Sequence, residues 1–152
     1  MSTGAQVRLI PPVVYLTPFA LMWALQQWRP WTIPGGAATN VAGLALTASG
    51  IFLMLWSFVT LTRANTTVIP WQQVSAIVAT GPFRFSRNPI YLADAITYLG
   101  GSLAIHSWWP LLVVPGIVLV IRRKVIDREE RYLAEHFGDA YREYQLRVRR
   151  WL

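Results

Sequence analysis

Two polar motifs set between long apolar segments carry the residues able to do chemistry. The first is Thr80-Gly81-Pro82-Phe83-Arg84-Phe85-Ser86-Arg87-Asn88-Pro89-Ile90-Tyr91. The second holds Glu129-Glu130-Arg131-Tyr132-Leu133, then Phe137-Gly138-Asp139-Ala140-Tyr141-Arg142-Glu143-Tyr144 and Arg147-Val148-Arg149-Arg150. Asn88-Pro89 is a strong helix start, with Asn as N-cap and Pro at the first helical position. The free N–H groups and positive dipole end of such a start suit an anion such as a carboxylate. Gly81 lets backbone approach a ligand closely, while Phe83, Phe85 and Tyr91 offer aromatic faces to a ring. Glu129 or Glu130 can accept hydrogen bonds from an ammonium or a sugar hydroxyl and attract a positive charge. Glu143, Arg147 and Arg150 fall at i, i+4 and i+7, so a helix through them places all three on one face. Arg87, Arg147 or Arg150 can clamp a carboxylate or phosphate with two parallel hydrogen bonds.

Each of these signals has a plainer alternative. Asn88-Pro89 can simply start a helix at an interface, and Glu129-Glu130 can be a solvated helix face. Glu143 and Arg147 stand in the favourable order for a surface pair worth about 0.3–0.5 kcal/mol. Tyr141, Tyr144 and Val148 make a stripe that can serve only to dock the C-terminal region. Asp94 lies one turn beyond Tyr91 within an apolar run. An ionisable residue at that depth points to a function or a pairing with Arg, unless it sits in water near the interface.

The elements that must position these motifs are helices in a membrane. The chain is 54% hydrophobic and only 14% charged, against about 25% charged in a typical soluble domain. Its length suits one domain over residues 1–152. The absence of Cys excludes disulfides, thiolate catalysis and cysteine metal sites. His106 and His136 are too few for a histidine cage, so no metal is expected. A net charge of +7 can mean nucleic acid, but the basic residues flank apolar runs and form no separate arm.

Four apolar segments can be drawn, at 9–28, 41–61, 89–105 and 108–121. The first two are long enough to cross about 30 Å of hydrocarbon. The third is interrupted by Asp94 and Gly100-Gly101, and the fourth is short and contains Pro110, Pro115 and Gly116. With Ser107 alone between His106 and Trp108, the last two form a tight helical hairpin whose second helix runs on into the charged region 122–152. Arg8, Arg63, Arg84, Arg87 and the cluster from Arg122 to Arg150 fall on one side, and only Arg29 on the other. Positive charge marks the cytoplasmic side, so both termini and both motifs face the cytoplasm of a multi-pass inner or plasma membrane protein. Trp28, Trp31, Trp108 and Trp109 then form an aromatic belt on the far side.

Together the motifs resemble those of the integral membrane methyltransferase superfamily of isoprenylcysteine carboxyl methyltransferases and phospholipid N-methyltransferases. The resemblance runs through Gly81 to Tyr91, Glu129-Glu130 and Phe137 to Arg150, with Thr66-Thr67-Val68-Ile69-Pro70 similar to the segment that precedes them. It covers about residues 60–152; residues 1–59 match only as two apolar spans. It implies an all-α fold of four transmembrane helices, with cytosolic C-terminal helices closing a pocket for S-adenosyl-L-methionine. Gly81, Phe83, Arg87, Asn88, Pro89, Tyr91, Glu129 and Glu130 would then bind that cofactor. Glu143, Arg147 and Arg150 would handle a lipophilic acceptor that arrives from the membrane lipid. Asn88 departs from the His common among the carboxyl methyltransferases, which removes a titratable group and keeps donor and acceptor capacity. The reaction expected is methyl transfer of the isoprenylcysteine carboxyl methyltransferase type. A lipid-amine N-methyltransferase is the alternative within the class, and a non-catalytic four-helix scaffold is the alternative outside it.

Overall fold

The computed structural model describes residues 9–67 and 74–152, and they are helical apart from one isolated bridge between Thr32 and Ser107. Four helices make the body: α1 (Pro11–Trp28), α2 (Gly36–Arg63), α3 (Pro89–Ala104) and α4 (Trp108–Ile121). These match the four apolar segments closely. α2 starts earlier than its apolar run, because Gly35-Gly36-Ala37-Ala38 turn directly into the helix. A π-helical turn over Arg122–Ile126 carries α4 without a break into α5 (Asp127–Phe137), and α6 (Asp139–Arg147) follows. Arg8 and Val68–Pro70 lie outside the described residues.

The α3–α4 hairpin turns as tightly as its sequence requires. His106 takes a left-handed backbone (φ +52°), and Ser107 caps α4 by accepting the Trp109 N–H. The buried Ser107 hydroxyl also donates to Gln26 of α1 at 2.9 Å. Ile33 and Trp108 add backbone bonds to His106 and Trp31. Trp31, Trp108 and Trp109 meet edge to face or tilted at this end of the bundle.

Gly100-Gly101 does not interrupt α3, which runs unbroken to Ala104. Instead, glycine lets α2 and α3 approach backbone to backbone. A Cβ on Gly100 would sit 2.4 Å from the Thr47 nitrogen, and one on Gly43 would sit 2.4 Å from that of Ala104. The core on the other side of α3 joins Tyr15, Tyr91, Tyr98, Ile117, Ile121, Val125 and Ile126. The outer surfaces of α1 and α2 stay apolar: Leu16, Leu21, Val41, Leu44, Phe52 and Leu55 are each more than half exposed. Apolar surface of that extent calls for a non-aqueous surrounding. Among the described residues, α2 is the one helix long and apolar enough by itself to cross a membrane.

The close α2–α3 contact predicts an asymmetry between glycines. Gly100→Ala should destabilise the detergent-solubilised protein by about 1–3 kcal/mol through overpacking. Gly116→Ala, where an added Cβ meets nothing within 4 Å, should be neutral or stabilise by up to about 1 kcal/mol. Thermal melts of the two variants check this, and equal losses would place the tight contact elsewhere.

Candidate functional site

The first motif is held by three neighbours. Gly81 opens a 3₁₀ turn over Gly81–Arg84 with φ +56°, pressed so closely on α2 that a Cβ would lie 2.7 Å from the Thr60 hydroxyl. Its glycine is required by that contact, and Gly81 does not line the cavity described below. Phe83 and Phe85 then part company: Phe83 turns inward, while Phe85 is half exposed beneath the Arg84 guanidinium at 4.4 Å. Past the turn, the C-terminal segment lies alongside. The Arg87 N–H donates to the Arg149 carbonyl at 2.9 Å, and the Ser86 hydroxyl donates to the Arg150 carbonyl at 3.3 Å. Asn88 does not cap α3 with its side chain; its amide donates to the same Arg150 carbonyl at 3.1 Å. Pro89 stands at the first helical position, as its sequence context requires.

The second motif supplies the facing wall. Glu130 is buried on α5 and receives Arg87 from one direction at 3.3 Å. Arg150 grips it from another, donating from Nε at 3.2 Å and from Nη2 to its second oxygen. Arg150 also reaches Asp127 at 3.0 Å. Among the described residues Glu129 has no such cation: its partner is the Tyr91 hydroxyl, which donates to it at 2.8 Å. Burial raises the Glu129 carboxyl to about 7, and the Glu130 charge adds to that while the Tyr91 hydrogen bond opposes it. Tyr144 donates to the Phe83 carbonyl at 2.6 Å, and burial pushes its own hydroxyl up to about 12.

These walls enclose a recess of about 890 Å³, counting its open mouth. Phe83, Arg87, Asn88, Pro89, Tyr91, Glu129 and Glu130 all line it, so seven of the eight residues singled out for cofactor contact come together there. Arg87 is the one cation among the described lining residues, and Glu130 already balances it. What remains is a largely aromatic and aliphatic pocket in which, among the described residues, Glu129 lacks a cation and the buried Arg87 Nε lacks an acceptor.

Residues 38–140, which hold most of this wall, match a family model described as phospholipid methyltransferase. The chain belongs to the phospholipid methyltransferase family. Membership implies a membrane methyltransferase. A stretch of 55 residues is also 47% identical to an uncharacterized protein of Haemophilus influenzae, covering 36% of this chain and 78% of that one. No solved structure matches the chain.

In this phospholipid methyltransferase relative, Glu143, Arg147 and Arg150 do not share a face. α6 ends at Arg147 and the backbone becomes extended at Val148, which swings Arg150 back toward α5. Glu143 and Arg147 are exposed outside the recess, and Arg147 Nε contacts the Glu143 carbonyl, not its carboxylate. Asp94 is half-buried in α3 and makes no ion pair among the described residues. Tyr132, Leu133, Tyr141 and Tyr144 line the recess without having been singled out for it. Tyr141 and Tyr144 also form a small core with Val148, so their docking stripe and the cavity wall are the same surface. Given their exposure, Glu143→Ala and Arg147→Ala should each shift stability by less than about 0.5 kcal/mol. Both should keep near-wild-type methyl transfer; a large loss of turnover in either would bring the outer face of α6 into the site.

Proposed function

We propose that the protein is an S-adenosyl-L-methionine-dependent integral membrane methyltransferase acting on a lipophilic acceptor. The observation that carries this reading is Glu129, a carboxylate in the wall of an aromatic pocket with no balancing cation among the described residues. Bound there, the cofactor would supply a methyl group already activated by its sulfonium charge. Glu129 attracts that charge or the neighbouring ammonium. Phe83, Tyr141 and Tyr144 provide flat apolar surface for the adenine ring, and Pro89 and Ile90 close the side toward α3. Positioning of donor and acceptor can then account for most of the rate.

The charge balance favours an amine as acceptor over the carboxylate first expected from the resemblance. A carboxylate or phosphate held in the recess needs a free cation, and Arg87 is committed to Glu130. An amine must instead shed a proton before its lone pair attacks. That proton can pass to water at the open mouth of the recess, with Glu129 left facing the cofactor's positive charge. The phospholipid methyltransferase match supports the same choice.

The reading includes four membrane-spanning helices. The recess lies where α2 ends, α3 begins and α4 passes into α5, which is also where Arg63, Arg84, Arg122, Arg123 and Lys124 are exposed. Trp31, Trp108 and Trp109 gather at the opposite end. The run from Trp108 to Phe137 reaches about 45 Å at 1.5 Å per residue, more than the hydrocarbon needs. Its last turns therefore stand in the cytoplasm.

Two outcomes follow. Cofactor binding should require ionised Glu129, so affinity rises by up to about tenfold per pH unit below pH 7 and levels off above it. Glu129→Gln should bind weakly with a flat profile; equilibrium binding of labelled cofactor reads both, and an unaltered profile in that variant would remove Glu129 from the site. For topology, single cysteines at Ser75 and Ala140 in this Cys-free chain should label from the same side of sealed vesicles. Labelling from opposite sides would contradict the four-span arrangement.

A further inference from the structure

Arg150 stands apart from the recess yet touches what lines it. It is not among the recess's lining residues; it borders a second, shallower recess with Asp127, Arg131 and Gln145, and Glu130 belongs to both. Its two-point grip holds the Glu130 carboxylate, while its own carbonyl is anchored by Ser86 and Asn88. The next residue, Trp151, packs against the core beside α1, α3 and the π turn. The guanidinium is therefore fixed at both ends.

We propose that Arg150 is a positioning residue acting from outside the cavity: by holding Glu130 against Arg87, it keeps the neighbouring Glu129 available as an anion for a cationic ligand. The inference rests on the cofactor-binding reading above for its functional consequence. Its electrostatic content stands independently. Glu129 meets the Tyr91 hydroxyl of α3 and the charge of Glu130 on its own helix, while Arg87, Tyr132, Tyr141 and Tyr144 line the same recess. Of these, Glu130 is held from outside the recess by Arg150. With Arg150 in place, two arginines share the Glu130 charge, and that charge still raises the Glu129 carboxyl, though less than burial does. Without it, one arginine serves Glu130 alone, and like charge at short range disfavours ionisation of Glu129.

The test is a carboxyl titration of protein labelled with ¹³C at glutamate. The resonances belong to Glu129, Glu130, Glu135 and Glu143 and are assigned by single Gln variants. Arg150→Gln should raise the Glu129 midpoint by about half a pH unit or more. Arg150→Lys keeps the charge but loses the two-point grip, so it should fall between wild type and Arg150→Gln, and it carries the test if the Gln variant does not fold. Cofactor affinity at pH 7 should drop about twofold or more in the same order, with the gap closing by pH 8.5. An Arg150 that served the fold alone would lower the melting temperature and leave the Glu129 midpoint in place, which would overturn the proposal. The titration needs no cofactor. Wild-type protein that titrates as expected but binds no S-adenosyl-L-methionine would refute the proposed function, and the midpoints would still judge Arg150.

Discussion

The site depends on one buried carboxylate held by two arginines. Glu130 takes Arg87 from the loop before α3 and Arg150 from beyond α6, so a single residue of α5 ties together segments distant in sequence. Buried pairs of this kind contribute little net stability, because desolvation offsets attraction. Removing one partner is costly, at about 3–5 kcal/mol when fully buried. Arg150 retains partial exposure, so its removal should cost less. What the cluster secures is geometry. The bonds from the Arg87 N–H, the Ser86 hydroxyl and the Asn88 amide to the Arg149 and Arg150 carbonyls hold only while the C-terminal segment lies against the first motif.

That arrangement leaves the adjacent carboxylate free. Adjacent residues on a helix point about 100° apart, so when Glu130 turns to its arginines, Glu129 turns toward Tyr91 and the recess. A phenol donor stabilises its charge less than a guanidinium does, and burial dominates, which lifts its midpoint into the neutral range. Such an anion suits the cationic methyl donor of the proposed function. Pairing the second glutamate internally prevents two like charges from competing for one ligand.

The helical body was legible in the sequence because its signals are local: apolar runs, Asn88-Pro89, and Ser107 between His106 and Trp108. So was part of the cavity wall, since Arg87 to Tyr91 and Glu129-Glu130 are contiguous motifs, whereas Leu61 and Ile77 reach it from positions no motif marks. The roles of Asn88 and Gly81 were not. Their partners, the Arg150 carbonyl and Thr60, are tens of residues away, and no local pattern announces them. The shared face of Glu143, Arg147 and Arg150 failed for a related reason. Its periodicity was correct for a continuing helix, but the chain leaves the helix at Val148 to reach Glu130. Gly100-Gly101 looked like an interruption because helix propensity ignores the neighbours, α2 against Gly100 and Phe19 of α1 against Gly101, which leave little room for side chains there.

The most direct test of the account is ultraviolet cross-linking of methyl-labelled S-adenosyl-L-methionine to the purified protein, followed by peptide mapping. The account predicts label on peptides spanning 83–91 and 129–144, competed away by excess unlabelled cofactor. Label confined to other segments, or none above the level of denatured protein, would contradict it.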